Sequence, residues 1–458
     1  MHWTDSAEVY HPREPRSSPL WSILQKHFNE FLLQYDDSYV REFGYLRSII
    51  PEVVRGYLKC GDLAEGFARV RCPDCHHEFL LAFSCRGRWF CPSCHAKKVV
   101  QFGLHLKENI LYPVPHRQYV FSIPIILRTY FKYDRKLLGK FCQCINKSLL
   151  EFFRQSTGLK KGILGAVMAI QTFGDYARWH PHVHVLLADG LFRENGVFHV
   201  MPKIDIQPLA ELFRANVLKM LKQEGKIDDG LIEKIMKWRH NSGFSVHNGV
   251  RLSRDDEAGR ESLAQYIMRN PFSVRKITYN EATGTVIYKS KKTQRRSKGG
   301  RKNFQVFTAT DFIAAITQHI PEKSFQLVRY YGWYSNRGRG EREKKKQITV
   351  NLPEVPTRVE IIDVSDYRPK KIPSPKWREC IKKVWEVDPL SCPKCGSEMK
   401  IISFINEADV IRKILEHLNL WEEKTPVERA PPDLIREKSC EPYDDGWPQY
   451  EEPSVTIH

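Results

Sequence analysis

Hydrophobic residues recur at helical intervals through WSILQKHFNEFLLQY (Trp21–Tyr35), and Asp36, Asp37 and Ser38 then interrupt the pattern. Short apolar or alternating runs mark three strands. They are Arg117–Ile123 (RQYVFSI), fenced by prolines 113, 115 and 124, then Gly165–Phe173 (GAVMAIQTF) and Pro181–Leu187 (PHVHVLL), the last closed by Ala188-Asp189-Gly190. A helical region fills about 126–157 between the first two. Helical spacing returns at 207–224, at 229–239 and at about 255–269, where Pro271 stops it. From 272 to 350, strand-like runs alternate with basic loops; a proline- and lysine-rich linker over 370–382 leads into a helix, and another helix lies near 407–419. Strands separated by long helices, followed by antiparallel-looking strands and no repeat of fixed period, predict an α+β catalytic core carrying small appended modules.

Charge narrows the partners. The 458 residues include 72 Lys or Arg against 54 Asp or Glu, a net charge of +18. Such a surface expects a polyanion. With 41% hydrophobic and 12% aromatic residues the chain has ample material for packed cores, which argues against general disorder. No run approaches the roughly 18 apolar residues of a membrane span, and MHWTDSAEVYHPREP lacks the apolar stretch of a secretory signal. A soluble, intracellular, nucleic-acid-facing protein with no membrane partner is the expectation. The basic run KSKKTQRRSKGGRK concentrates Lys289, Lys291, Lys292, Arg295, Arg296, Lys298, Arg301 and Lys302, a set expected to track phosphates, with a solvated hairpin tip as the lesser alternative. Arg329–Tyr334 and Asn336–Arg339 mix aromatics with guanidiniums, which suits base stacking or an aromatic core strand. The tail carries five acids and no base between Glu441 and Glu452, and is expected to be disordered.

Cysteine usage points to metal. Cys72-Pro-Asp-Cys75 and Cys91-Pro-Ser-Cys94 are separated by fifteen residues, the spacing of a four-cysteine zinc ribbon, with FLLAF between them as hairpin. Each pair turns two thiolates toward one ion, and a closed four-sulfur shell is structural rather than catalytic. Cys60, Cys85 and His95 lie close enough to enter the set; Cys85 is the first substitute, and His95 suits a cap better than a ligand. The module's arginines, lysines, Trp89 and Phe90 suit contact with DNA. Cys392-Pro-Lys-Cys395 is half of a second such site, with Cys380 and His417 as candidate partners.

Along WHPHVHVLL, His180, His182 and His184 share one face of a strand, while Val183, Val185 and Leu187 share the other. Neighbouring imidazoles about 6.5 Å apart can meet one cation, but His180 and His184 are too far apart to join the same ion in a regular strand, so a third ligand must come from elsewhere. The helix SLAQYIMRN carries Tyr266 and Asn270 four residues apart, on one helix face. A tyrosine hydroxyl attacks a phosphodiester only when a cation polarises the phosphoryl oxygen and the site holds it in line. By themselves, these residues are more often partly exposed strand histidines and a packed or surface aromatic than a metal and nucleophile site.

Taken in order, these segments resemble the insertion sequence 91 family of transposases, within the HUH single-strand nuclease superfamily. CGDLAEGFARVRCPDCHHEFLLAFSCRGRWFCPSCH resembles the family's zinc-binding domain, RQYVFSIP its first nuclease strand, IQTFGDYARWHPHVHVLLADGLF its metal-binding strand, LAQYIMRNPFS its nucleophile helix, and DPLSCPKCGSEMKIISFI its C-terminal cysteine motif. The resemblance implies a bacterial, cytoplasmic enzyme that nicks single-stranded DNA at transposon ends. Tyr266 forms a 5′-phosphotyrosine, His182 and His184 hold Mg²⁺ or Mn²⁺, Asn270 is a candidate third ligand beside Gln171 and Asp175, and zinc is structural. Two-tyrosine members carry a second tyrosine where this chain has Asn270, so it resembles the one-tyrosine common-region variants, with Tyr279 a remote second nucleophile.

The expected division is an N-terminal helical and zinc-ribbon unit over 1–100, an HUH-type antiparallel sheet with flanking helices over 110–350, a cysteine module over 375–425 and the acidic tail over 426–458. The alternative is a non-catalytic zinc-ribbon DNA-binding protein. A zinc hydrolase or deaminase is disfavoured: His76-His77-Glu78 supplies HxE, but the PCxxC order and any HExxH are missing.

Overall fold

A computed structural model describes residues 10, 14–87, 89–238, 243–289, 303–344, 360–385 and 387–422. At its centre is a five-stranded sheet in the order Val328–Gly332, Gly165–Phe173, Trp179–Ala188, His116–Ser122, Ser245–Leu252, with every neighbouring pair antiparallel. Gly165–Phe173 is buried throughout, and Trp179–Ala188 is buried from Pro181 onward. Both are rich in the β-branched and apolar residues that favour interior strands. Strand alternation divides the sheet into two unlike faces. On one, Val183 and Val185 lie beside Tyr119 and Phe121, which meet the helices Leu137–Thr157 and Gln207–Gln223 through Phe153 and Phe213. The long helix ends at Gly158, whose φ of +74° supplies the left-handed stop. On the other face lie the three histidines and the helix Glu257–Ile267, which contacts both the histidine strand and the helix Pro92–His105.

A second core joins sequence-distant segments. Ser18 caps the helix Pro19–Leu33 by accepting from Trp21 N–H, with Pro19 ready at the first helical position. Leu20, Ile23, Phe28 and Phe31 pack with Phe312, Ile313 and Ile316 of the helix Ala309–Thr317, beside a sheet of Ile277–Asn280, Thr285–Lys289 and Phe304–Thr308. A third, smaller sheet pairs Lys400–Ile405 with Phe67–Arg71, which pairs in turn with Glu78–Ala82. The helix Ala408–His417 covers it, setting Ile411 and Leu415 against Phe67.

The strands and most helices lie where the pattern puts them, with four differences. The expected helix over 126–157 is two, Ile125–Tyr133 and Leu137–Thr157, parted at Asp134. Asp36 and Asp37 continue in a further helical turn, Tyr35–Ser38. Ala309–Thr317, expected among strands, is a helix buried on nearly every side, so it has no polar stripe to betray its period. Arg329–Tyr334 is core: Val328–Gly332 is a sheet edge, Tyr334 is fully buried, and Trp333 stacks on Phe192. Packing runs across the expected segments: residues within 15–58 pack with residues within 277–320, and residues within 61–83 with residues within 390–421. Lys291–Lys302 and the tail from 426 lie outside the described residues, of which no helix is long and apolar enough to cross a membrane.

Asp189 closes the histidine strand with a fully buried carboxylate that accepts from Arg117 Nε at 3.0 Å and Arg251 Nε at 2.7 Å. Asp189→Asn keeps the shape but strips the charge from two guanidiniums, one of them half exposed. A loss of about 2–3 kcal/mol in urea unfolding is expected; a loss under about 0.5 kcal/mol would show that the trio is not holding the sheet edge.

Candidate active site and thiol clusters

The histidine face and the tyrosine helix meet. The rings of His180 and His182, and of His182 and His184, each stand 5.0 Å apart, and the Tyr266 ring meets His184 edge-on at 5.7 Å. Tyr266 is 46% exposed at the end of its helix, so an incoming strand can reach it. Arg269 carries its guanidinium over both the Tyr266 ring (5.2 Å) and the Phe173 ring (5.4 Å). A second cation, Arg128, lies close enough to press on His180 and His182. Two guanidiniums beside a phenol and two imidazoles form a pocket of positive charge suited to a phosphate.

The imidazoles are prepared as ligands. Burial holds His182 down to about 4 and His184 down to about 3, so both are neutral near pH 7. His182 Nδ1–H donates to the His180 carbonyl at 2.8 Å, leaving the Nε2 lone pair free. His184 Nδ1 accepts from Gln118 Nε2 at 3.0 Å, so its Nε2 becomes a free lone pair only when the Gln118 amide rotates to present its oxygen to the ring. His184 Nε2 is buried and has no partner among the described residues; so is Gln171 Oε1. Gln171 sits directly across from His182 in the sheet, on the same face, and its Nε2 donates to the Ile267 carbonyl at 2.8 Å, which fixes which end of the amide stays free. Unpartnered buried polar atoms of His184 and Gln171, beside the free Nε2 of His182 on the same face, fit a divalent cation held by these three residues once the Gln118 amide is turned.

Asn270 does not share a helix face with Tyr266. The helix ends at Ile267, because Pro271 disfavours helical geometry at the residue before it, and Asn270 Oδ1 instead accepts from Phe272 N–H in the turn that follows. Asp175 is exposed and its charge acts on His180. Tyr279 is hydrogen-bonded to His27 in the second core.

His95 is the residue whose role is clearest in the structure and dimmest in the sequence. Its Nδ1 accepts from Trp89 N–H, so Nε2 carries the proton and donates to the Met268 carbonyl at 2.5 Å. His95 stands one residue beyond Cys94, and Met268 two residues beyond Tyr266. The thiol cluster is thereby tied to the end of the helix that carries Tyr266.

The cysteines regroup. Spacing joined Cys72 and Cys75 to Cys91 and Cys94, but the structure separates these pairs into two clusters, Cys60, Cys85, Cys91, Cys94 and Cys72, Cys75, Cys392, Cys395, each with its sulfurs within 4.8 Å of one another. In the first, the sulfurs of Cys60 stand 3.8 Å from those of both Cys91 and Cys94, and Cys85 stands 3.6 Å from Cys94. A tetrahedral zinc with bonds of about 2.3 Å requires sulfur edges of about 3.8 Å. The donor set and its spacing fit structural zinc. The half-site at Cys392 and Cys395 is completed by Cys72 and Cys75, not by Cys380, which bonds the Pro375 carbonyl, nor by His417. Spacing misled because the interposed hairpin carries the first pair away from the second. Trp89 and Phe90 are buried and Arg69 is paired with Glu78, so of the expected DNA-facing residues these three are structural. Of the basic run, only Lys289 lies among the described residues, exposed at a strand end.

Comparison with known proteins supplies the family evidence. Residues 165–342 match the Y2_Tnp family model, described as "Putative transposase", and residues 24–123 match the Zn_Tnp_IS91 model, a transposase zinc-binding domain. The chain is 27% identical over 376 residues to a transposase for insertion sequence element IS801 from Pseudomonas savastanoi pv. phaseolicola, covering 79% of this chain and 85% of that one. It is 24% identical over 327 residues to "Putative transposase y4qJ" of Sinorhizobium fredii, covering 68% and 80%. No solved structure matches.

Buried neutral histidines make stability acid-sensitive. His116 and His319 are held down to about 3 by burial, against an ordinary value of 6.5. Below pH 6.5 the unfolded chain takes up protons that the folded chain refuses, so stability is flat above that point and falls as pH drops toward 4. Each such histidine contributes a slope of about 1.4 kcal/mol per pH unit. Urea midpoints should drop between pH 6.5 and 5.5, and His319→Gln should flatten the slope by one proton; a midpoint unchanged across that interval would count against neutral burial.

Proposed function

The chain belongs to the insertion sequence 91 family of transposases, and from that premise we propose that it cleaves single-stranded DNA at element ends through Tyr266, in an HUH-type site on the central sheet. The observation that carries this reading is the edge-on contact of the Tyr266 ring with His184, at 5.7 Å, on a face where buried lone pairs lack partners. The five-stranded antiparallel sheet with the histidine pair on its middle strand supports the HUH assignment.

In this mechanism the Tyr266 oxygen bonds to phosphorus and the bond from phosphorus to the 3′ oxygen breaks. The phenol's proton passes to solvent, and the leaving oxygen takes one up as a free 3′-hydroxyl. The product is a 5′-phosphotyrosine that keeps the phosphoester energy, so rejoining needs no ATP, and movement of the element follows a rolling-circle-like course. A Mg²⁺ or Mn²⁺ held by His182, His184 and Gln171 would supply charge to offset that developing on the phosphoryl oxygens. Arg269, above the phenol, and Arg128, beside the histidines, hold the phosphate and draw it toward the sheet. His95 and Gln171 hold the carbonyls behind Tyr266, so the phenol approaches the phosphate from a fixed direction. We propose Gln171 over Asn270 as third ligand because its oxygen is buried and unclaimed, whereas that of Asn270 accepts within its own turn.

A labelled single-stranded end tests the reading. Wild type should form a covalent, metal-dependent adduct that Tyr266→Phe abolishes with binding retained, and His184→Ala should slow cleavage about a thousandfold. Binding by wild type without any adduct would leave only a DNA-binding protein. Gln171→Ala should lower cleavage about 10–100-fold and raise the divalent-ion concentration needed, with Asn270→Ala leaving that concentration unchanged; the reverse pattern would give the ligand role to Asn270.

A further inference from the structure

Cys72 and Cys75 belong to the first hundred residues and Cys392 and Cys395 to the last hundred, yet the Cys72 and Cys395 sulfurs are 3.5 Å apart and those of Cys75 and Cys392 are 3.4 Å apart. None of these distances is a disulfide, and all four sulfurs converge on one point. The backbone repeats itself at the two pairs. Cys72 N–H donates to the His77 carbonyl at 2.8 Å, and Cys392 N–H donates to the Ser397 carbonyl at 2.9 Å, five residues on in each case. The residue after the second cysteine is left-handed in both, His76 at φ +59° and Gly396 at φ +77°. A non-glycine residue there carries strain, which the first knuckle tolerates for the sake of the same turn. Two equivalent knuckles facing one another are how a four-sulfur site closes a tetrahedron.

The surroundings point the same way. Val70, Cys72, Cys392 and Met399 form a small buried cluster of their own, flanked by Phe79, Leu81 and Leu390. Lys400–Ile405 supplies the third strand of the sheet that the first knuckle interrupts. Around the four sulfurs the buried cluster holds two of the cysteines, Cys72 and Cys392, and only Val70 and Met399 besides, while Cys75 and Cys395 are exposed, so apolar burial contributes little at the knuckles themselves.

We propose that Cys72, Cys75, Cys392 and Cys395 bind a second zinc ion, which joins the two ends of the chain into one split ribbon, separate from the zinc of Cys60, Cys85, Cys91 and Cys94. The site owes nothing to the strand-cleavage reading. Its function is to lock Lys400–Ile405 and the helix Ala408–His417 onto the N-terminal hairpin.

The full chain carrying His184→Ala, which removes the imidazole pair as a competing zinc site, gives a clean count. Elemental analysis should find two zinc ions per chain, and X-ray absorption at the zinc edge should show four sulfur neighbours around each. Adding Cys392→Ser and Cys395→Ser should leave one zinc. Hydrogen exchange should then quicken in Phe67–Arg71 and Lys400–Ile405 while Trp179–Ala188 keeps its protection. One zinc in the parent chain, nitrogen or oxygen in the averaged shell, or two zinc ions retained by the serine variant would each overturn the proposal. Should the serine variant fail to fold, the parent's count and sulfur-only shell decide by themselves.

Discussion

The tyrosine helix stops at Ile267 with carbonyls that no further turn can satisfy, and two side chains reach them from different parts of the fold. Gln171 comes from the sheet and bonds the Ile267 carbonyl; His95 comes from the thiol knuckle and bonds the Met268 carbonyl. These bonds decide where Tyr266 stands relative to His184. They also spend one end of the Gln171 amide and so leave the other unclaimed beside His182. A helix that ran one turn longer would have needed neither partner, and the phenol would then have been placed by its own helix packing alone.

Much of this site was legible in the residues. A strand's period of two is enough to put His182 and His184 on one face and their valines on the other, and the structure keeps that division throughout Trp179–Ala188. The stop before Pro271 was legible as well. What the pattern could not give was the effect of that stop on Asn270: a spacing of four means a shared face only while the helix lasts, and here it ends three residues too soon. Gln171 was visible only as one polar residue among several, because its importance comes from standing opposite His182, which is a property of strand register. Arg128 and Arg269 carry no motif at all; they matter through where neighbouring rings put them.

The cysteines show the complementary failure. Spacing along a chain constrains pairs three residues apart very tightly, and each CxxC does bring its two sulfurs to one point, two of them as knuckles and Cys91–Cys94 at a helix start. It constrains the pairing of knuckles only weakly, since a hairpin can turn one pair away from the next. Cys60 and Cys85, which belong to no such pair, become partners of Cys91 and Cys94 because the end of the helix Ile49–Leu58 and the exit of the hairpin come together in the second core. The packing of that core from residues on both sides of the central sheet has the same origin: apolar surface finds its complement in space, with no preference for neighbours in sequence.

Strand Phe67–Arg71 bonds to a partner that the ribosome makes more than three hundred residues later. Cys72 and Cys395 are separated by 323 positions, a delay of about 15–65 s at ordinary elongation rates. Through that interval the N-terminal hairpin has an open edge and an uncovered Phe67. A chain that stops before Lys400 cannot close that edge, however well its central sheet folds, and so leaves it open to aggregation and to proteolysis. Cover for Phe67 therefore depends on translation through Leu415.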